Sequence, residues 1–232
     1  ATTNTIFRTY PDDALAAPYG TYVIDLSQPE NTLFGKMNAS HRRKVRLAIK
    51  NGVEIQKGAE HLRKAYELVR DTFKRSKLGF MDYRSFERYV AGLGDNVEIF
   101  VALHEGRVQG AIVIPFSNHA AYYVYGGSVP EPVTGAMNLL HWEAIRWFRG
   151  MGVRRYDFVG SRVEPEKGSK QEGLAMFKQR FGGTLMKGYM WKCPLRPLGY
   201  GLYSLAVRAL RGGDIVDQEK HKMAGFAVNE AS

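Results

Sequence analysis

Cysteine is almost absent from this sequence of 232 residues. The single cysteine, Cys193, excludes an intrachain disulfide and fits a reducing compartment, so we expect a cytoplasmic protein. Long apolar runs are also missing, because the most apolar stretch, residues 111–125, is interrupted by Pro115 and by polar residues. It falls short of the ~18 to 20 apolar residues that a membrane helix needs, and we expect no integral membrane association.

Motifs for nucleotide cofactors and for metals are missing as well. No G-x-G-x-x-G follows a predicted strand and no P-loop motif occurs, which disfavours cofactors bound through such loops. The six histidines and the one cysteine show no ligand spacing such as C-x-x-C or H-E-x-x-H. We therefore expect neither a metal site nor a bound cofactor.

Acidic residues are the minority charge, since 33 Lys and Arg face 23 Asp and Glu and the formal net charge is +10. This excess favours a polyanionic partner such as RNA, DNA, a phosphorylated ligand or an anionic membrane, with a merely basic soluble protein as the alternative. The composition is otherwise that of a packed protein, 44% hydrophobic and 12% aromatic, which disfavours a disordered chain or a coiled coil.

The order of strand and helix patterns predicts an α+β fold. Residues 1–20 have little periodicity and lead to a short strand at 21–26, after which one helix begins beyond Ser27 and ends at about Gly52. Three further strands are expected to form an antiparallel meander, and helices and strands then alternate. The meander strands are residues 97–103, 107–116 and 120–126, and the later elements are 137–151, 154–159, 174–180 and 184–193. They describe a mixed, mostly antiparallel sheet flanked by helices.

The long predicted helix carries a basic segment, residues 41–50, with five positive charges and no acid. Acids three or four residues away ordinarily pair with such charges, so their absence favours phosphate binding over a solvated helix face. Arg43 and Arg46 lie three apart, on one face, and can grip phosphate oxygens. Together with Arg42 they are candidate substrate-binding residues.

Two tyrosines alternate along the last strand of the predicted meander. Tyr123 and Tyr125 fall on one side of that strand, ahead of a Gly-Gly pair that lets a ligand or another backbone come close. Two phenols on one face indicate the wall of a cleft, with core tyrosines whose hydroxyls are satisfied as the alternative.

Lys178 stands between Phe177 and Phe181, after a long polar loop and before the pair Gly182-Gly183. Taken alone, this pattern is typical of a surface lysine whose stem lies along an aromatic ring.

Four segments in this order resemble the FemABX family of aminoacyl-tRNA-dependent transferases. They are Tyr122-Tyr-Val-Tyr-Gly-Gly, Asn138-Leu-Leu-His-Trp-Glu-Ala-Ile-Arg-Trp, Gly152-Val-Arg-Arg-Tyr-Asp-Phe-Val-Gly and Gly173-Leu-Ala-Met-Phe-Lys-Gln-Arg-Phe-Gly-Gly. With the strand at 21–26 and the basic helix, they cover about residues 20–210. The resemblance implies the GNAT fold, with a single GNAT-like domain at 31–212. Typical members carry two such domains, so residues 1–30 resemble a strap or remnant of the first, and residues 213–232 have the composition of a tail.

The resemblance also implies an activity. The family adds amino acids to peptidoglycan precursor peptides, and its relatives act on peptide intermediates of natural products such as antibiotics. Aminoacyl-tRNA would be the cosubstrate, with a peptide acceptor and no further cofactor. Lys178 matches the family's Phe-Lys motif, which assigns it and Phe177 to catalysis, where Lys178 stabilises the oxyanion or grips the terminal phosphate. Tyr123, Tyr125 and Arg180 would bind substrate.

Two other functions stay open at this point, a CoA-dependent GNAT N-acyltransferase and a noncatalytic RNA-binding module. Residues 131–136 depart from the [RQ]-x-x-G-x-[GA] pattern of a pyrophosphate loop, and the leading Glu131 would repel a pyrophosphate, which disfavours acetyl-CoA. Asp157 and Glu172 are the candidate general bases, and substrate phosphates or ribose hydroxyls are the alternative to them.

Overall fold

The computed structural model of the chain describes residues 6–211 and 213–226. The first five residues of the predicted strap, residue 212 and the last six residues of the predicted tail lie outside the described residues. The strands are β1 (Leu15–Asp25), β2 (Glu54–Lys57), β3 (Val97–His104), β4 (Arg107–Pro115), β5 (Ala120–Tyr122), β6 (Tyr125–Ser128), β7 (Arg155–Asp157) and β8 (Thr184–Lys192). The helices are α1 (Glu30–Lys36), α2 (Ala39–Lys50), α3 (Leu62–Arg75), α4 (Tyr83–Ala91), α5 (Ala136–Gly150), α6 (Lys170–Arg180), α7 (Pro197–Arg211) and α8 (Ile215–Glu219). The expected α+β class is confirmed.

These elements fall into two compact units. The larger unit holds residues 24–158 and 180–182. The smaller unit holds the chain up to residue 23, residues 159–179 and the chain from residue 183 onward.

An antiparallel sheet in the order β2-β3-β4-β6 forms the centre of the larger unit. Side chains alternate between the two faces of each strand, and both faces are covered. Ile99 and Val101 of β3 pack into a buried cluster with Phe86 of α4. The intervening Phe100 faces α5, where its ring lies 5.9 Å from that of Phe148. The sheet is therefore flanked by helices, as the sequence predicts.

The predicted strand over residues 120–126 is two strands in the structure. The backbone N–H of Tyr123 donates to the carbonyl of Asp157 at 2.8 Å, so the chain leaves the meander at this point. As a result β5 runs parallel to β7, while β6 returns to the antiparallel sheet beside β4. The break at Tyr123 corrects the expectation that Tyr123 and Tyr125 share one face of one strand.

The single long helix predicted between Ser27 and Gly52 is also two elements, α1 and α2. Asn38 has an extended ψ of 143° and its side chain accepts from the N–H of Ser40 at 2.9 Å, which begins α2 anew. The guanidinium of Arg42 donates to the carbonyls of Gly35, at 2.8 Å, and Met37, and so caps the end of α1.

In the smaller unit, β1 pairs with β8 in antiparallel register, with Tyr19 opposite Gly188. This strand of 11 residues begins at residue 15, so residues 15–20 are strand and not the expected irregular chain. The tail-like segment also begins with structure, because Val216 of α8 is fully buried in a cluster with Tyr19 and Met190. The division of the sequence into strap, domain and tail stays a prediction.

Candidate active site

Lys178 is anchored to the backbone of the loop that follows β7. Its ammonium donates to the carbonyl of Val159 at 2.5 Å and to that of Gly160 at 2.7 Å. Val159 has a φ of +45°, which a β-branched residue rarely adopts. Strained backbone of this kind persists where the surrounding structure requires it, and it clusters at functional sites. The contacts differ from those of a surface lysine that only lies along Phe177.

A pocket of about 180 Å³ opens beside this ammonium in the smaller unit. Its lining residues are Tyr19, Gly160, Ser161, Arg162, Gln171, Leu174, Lys178 and Ile215. Two of them are cations and none is an acid. Burial raises the pKa of Tyr19 to about 12, so its phenol stays protonated and can donate at neutral pH. The volume lies below the ~300 Å³ at which sites for whole small molecules begin, so the pocket suits a small group with negative charge.

The arginines of α2 differ in their surroundings. Arg42 is engaged at the end of α1, as described above, whereas Arg43 is exposed. Arg46 is exposed as well, and its guanidinium lies 5.4 Å from the centroid of the Phe34 ring. Arg43 and Arg46 are therefore more accessible to solvent and to a ligand than the half-buried Arg42. The role of all three in substrate binding stays a prediction.

Arg180 belongs to the same basic surface as α2 in the larger unit. The carbonyl of Arg180 accepts from the N–H of Asn38 at 2.8 Å, which holds it at the start of α2. The imidazole of His41, on α2, is buried. Burial, and after it the positive charges of Lys44 and Arg180, lower the pKa of His41 to about 4. Burial is the main cause of this lower pKa, and the positive charges of Lys44 and Arg180 act in the same direction.

Tyr123 is held by packing inside the larger unit. Its ring meets that of His141 edge-on with centroids 4.5 Å apart. Its hydroxyl oxygen lies 2.0 Å from where a Cβ on Gly126 would be, so only glycine at 126 leaves room for it. Burial raises the pKa of Tyr123 to about 12.

Tyr125 occupies a different aromatic cluster, in which its ring centroid lies 5.3 Å from that of Phe80 and 5.7 Å from that of Phe86. The neighbouring Gly127 makes a close approach of two backbones possible, because a Cβ there would come within 2.3 Å of the carbonyl oxygen of Leu68 on α3. The Gly-Gly pair thus serves internal packing, as the core-tyrosine alternative expects. Roles for both tyrosines in substrate binding stay predictions.

The remaining candidates have distinct positions. Phe177 is half-buried on α6, one residue before Lys178. The carboxylate of Glu172 accepts from the N–H of Gly168 at 2.6 Å and so closes the loop in front of α6. Asp157 ends β7, where its carbonyl holds the break at Tyr123. Their parts in catalysis are untested.

Sequence reasoning missed most of the pocket wall. Ser161 and Arg162 directly follow the Tyr-Asp-Phe-Val-Gly run that carries the family resemblance, and this adjacency could have pointed to them. Tyr19 and Ile215 carry no such signal, because only the pairing of distant segments brings them to the pocket.

Within residues 6–211 and 213–226, no group of three or more His, Cys, Asp or Glu side chains is placed to hold a metal ion. Over the same ranges, no helix has both the length and the apolar character of a membrane span.

Comparison with known proteins decides the family. Residues 35–168 match the model described as an acetyltransferase (GNAT) domain, which is more than half of the chain. The chain belongs to this GNAT family. The match, the curated relatives and the solved structures described next together confirm the predicted GNAT fold and the predicted FemABX membership.

Two curated relatives are named Lipid II:glycine glycyltransferase. The protein from Staphylococcus haemolyticus (strain JCSC1435) is 23% identical over 133 residues, covering 57% of this chain and 32% of the relative. That from Staphylococcus epidermidis (strain ATCC 12228 / FDA PCI 1200) is 29% identical over 92 residues, covering 39% of this chain and 22% of the relative. The GNAT-family chain thus spans about a third or less of the length of these relatives.

Solved structures share the fold. The crystal structure of FemX superimposes with a TM-score of 0.68 at 19% identity, covering 87% of this chain and 67% of FemX. The structure of L-PGS from Bacillus licheniformis gives a TM-score of 0.54 at 16% identity, covering 84% of this chain and 65% of that protein.

Proposed function

We propose that this GNAT-family chain is an aminoacyltransferase that uses aminoacyl-tRNA as donor and the free amine of a peptide as acceptor. The acceptor is a peptidoglycan precursor peptide or a peptide intermediate of a natural product. The curated relatives support the reaction class, because their printed names describe glycyl transfer to Lipid II. Since aminoacyl-tRNA is a cytoplasmic substrate, the proposal places the reaction in the cytoplasm.

The position of Lys178 is the observation that carries this proposal. An ammonium fixed by two carbonyls at the wall of an acid-free pocket is a preorganised positive charge. Such a charge stabilises negative charge that develops in a transition state without having to reorganise first. Lys178 is therefore proposed as the catalytic residue, with Phe177 beside it on α6.

The chemistry requires little more than orientation and charge stabilisation. The lone pair of the acceptor amine attacks the ester carbonyl carbon and forms the new C–N bond, and the carbonyl oxygen becomes an oxyanion. When the oxyanion collapses, the ester C–O bond breaks and its electron pair leaves with the ribose oxygen of the tRNA. The nitrogen loses one proton and the ribose oxygen gains one. A neutral amine is nucleophilic enough for an ester, so holding both substrates together supplies much of the acceleration.

Acetyl transfer from CoA is the second candidate, because the matching family model is described as an acetyltransferase. The contacts at the start of α5 support aminoacyl transfer over acetyl transfer. The carbonyl oxygen of Lys44 lies 2.1 Å from where a Cβ on Gly135 would be, so α2 covers this helix end. The loop amides are also engaged, since Val133 donates to the side chain of Gln109 at 3.1 Å and Ala136 donates to the carbonyl of Val133 at 2.9 Å. These contacts use two N–H groups of the loop, which are then not available to a pyrophosphate.

Incubation with a mixed pool of radiolabelled aminoacyl-tRNAs and candidate acceptor peptides tests the proposal. We expect label to move from RNA to peptide without ATP or CoA. A parallel reaction with labelled acetyl-CoA and no tRNA is the control for the second candidate. Acetylation of the peptide in that control, or binding of aminoacyl-tRNA without its consumption, would contradict the proposal.

A further inference from the structure

Arg162 is held at the wall of the pocket by the segment whose composition resembles a tail. Its Nη1 lies 3.0 Å from Oε1 of Glu219 and its Nη2 donates to Oε1 of Gln218 at 3.0 Å. Both partners are on α8. The side chain of Glu219 is only 2% exposed, and its other oxygen lies 2.7 Å from the ammonium of Lys222. A buried carboxylate needs such partners, so the three charges fix one another.

The guanidinium of Arg162 retains donors for a ligand. It has five N–H groups in a planar fork, and the contacts with Glu219 and Gln218 use two of them. The side chain of Arg162 stays 25% exposed and lines the pocket together with Lys178. Two fixed cations therefore converge on one small space, and a guanidinium fork suits the paired oxygens of a phosphate.

The other walls of the pocket indicate what carries the phosphate. Leu174 and Ile215 supply apolar surface, the ring of Tyr19 supplies an aromatic one, and Ser161 supplies a hydroxyl. A phosphate joined to a sugar, with the base outside this small pocket, matches this combination better than the free carboxylate of a peptide, which needs no apolar or aromatic wall. The net charge of +10 agrees with a nucleic-acid ligand.

We propose that Arg162, positioned by the buried Glu219, binds a phosphodiester group of the single-stranded 3′ end of the RNA donor in this pocket. Lys178 then faces the adjacent ester. The inference rests on the proposed function for the identity of the donor, and it assigns the C-terminal helix α8 a part in building the site.

Binding of the trinucleotide C-C-A, the common end of tRNA, to the full chain tests the inference. We expect Arg162→Ala to weaken binding about tenfold, the size of one charge-assisted contact, and to reduce the dependence of log affinity on log salt by about one. Lys167→Ala is the matched control, because Lys167 is an exposed cation of the same unit and lies outside the pocket. Adenosine, which lacks a phosphate, should bind equally to both variants.

Two further measurements separate recognition of the phosphate from folding. Arg162→Lys keeps the charge opposite Glu219 but loses the fork, so we expect an affinity between those of the wild type and Arg162→Ala. Glu219→Gln should raise KM for aminoacyl-tRNA more than it lowers kcat, since Glu219 positions Arg162 and does not itself line the pocket. If that variant does not fold, which its melting curve shows, the two Arg162 variants decide the question.

Unchanged affinity of folded Arg162→Ala for C-C-A, or a loss no larger than that of Lys167→Ala, would overturn the inference while leaving aminoacyl transfer intact. Loss of affinity for a carboxylate-ending peptide instead of C-C-A would also overturn it. Arg162-dependent binding of C-C-A in a protein that transfers no amino acid would overturn the proposed function and keep the phosphate site.

Discussion

Lys178 makes contacts that its local composition does not indicate. A lysine between two phenylalanines is ordinary on a protein surface, but here the ammonium is fixed by two backbone carbonyls. The left-handed backbone of Val159 belongs to that arrangement. In the proposed reaction, this positioning would keep the charge where the oxyanion forms.

Lys178→Ala should lower the rate of aminoacyl transfer by roughly 10² to 10³, the usual loss for one such donor. Substrate affinity should change much less, because a contact made in the transition state affects kcat more than binding. Lys178→Arg should rescue only in part, since a planar fork replaces a compact charge. Single-turnover transfer by all three proteins, with melting curves, measures this. A folded Lys178→Ala protein within about threefold of the wild type would remove the residue from catalysis.

His41 gives a second prediction at the residue scale, concerning pH. Burial first, then Lys44 and Arg180, lower its pKa in the folded protein to about 4 from the 6.5 of an unperturbed histidine. Between these values the unfolded chain binds a proton that the folded protein does not, so stability is complete above pH 6.5 and is lost as the pH falls toward 4. The loss amounts to at most about 3 kcal/mol.

Melting temperatures of the wild type and His41→Gln between pH 4 and pH 7 measure this effect. Carboxylates titrate in both proteins, so the difference between the two curves isolates His41. We expect a shallower decline for the variant. Parallel curves would show that the neutral imidazole contributes nothing to acid sensitivity.

At the scale of elements, the arginines on the basic face of α2 differ in their contacts. Arg42 closes the end of α1, while Arg43 and Arg46 are exposed. Val45 and Ala48 of the same helix are buried, so the helix is fixed by its apolar side and its charges are left for solvent or a ligand.

Replacing Arg43 and Arg46 together by Ala should weaken tRNA binding severalfold with little change in melting temperature, because both side chains are exposed. Replacement of Arg84 and Arg88, two exposed arginines of α4, removes the same charge from another helix and is the control. Filter binding at several salt concentrations compares the two variants. Equal affinities would mean that α2 presents a solvated face.

A second element, α8, stabilises the smaller unit through Val216. Val216→Ala removes two methyl groups from a fully buried position, so we expect a loss of about 1 to 3 kcal/mol in the free energy of unfolding. Denaturant melts measure it, with Lys220→Ala at an exposed neighbouring position as the control. A loss no larger than that of the control would mean that α8 does not contribute to the core of the unit.

For the whole molecule, the charge excess of +10 governs encounter with a polyanion. If about four phosphates are neutralised on binding, affinity for tRNA should fall roughly a hundredfold between about 50 and 200 mM salt. A titration series with deacylated tRNA measures this dependence. Affinity that stays constant over this range would exclude an electrostatic mode of binding and, with it, the use of the basic surface.

Local signals in the sequence predicted most of the elements. Short apolar runs indicated β3 and β4, which are buried on both faces, and a helical pattern indicated α5. Capping chemistry also indicated the end of α2 at Gly52. By contrast, the break at Asn38 and the break at Tyr123 involve partners far along the chain. These partners are the carbonyl of Arg180, which accepts from the N–H of Asn38, and the carbonyl of Asp157, which accepts from the N–H of Tyr123.

The candidate site likewise contains residues that the sequence indicated and residues that it did not. Lys178 and Phe177 were found because the family motif is contiguous, and the charge of α2 was visible as a run of arginines. Tyr19, Arg162 and Glu219 come from three distant parts of the chain. Arg162 follows the family motif, but the sequence around Tyr19 and Glu219 gives no sign of a binding site. Only the tertiary structure could bring these three residues together. A buried carboxylate pairs with a cation that lies next to it in space, and the spacing of the two residues along the chain does not indicate that pair.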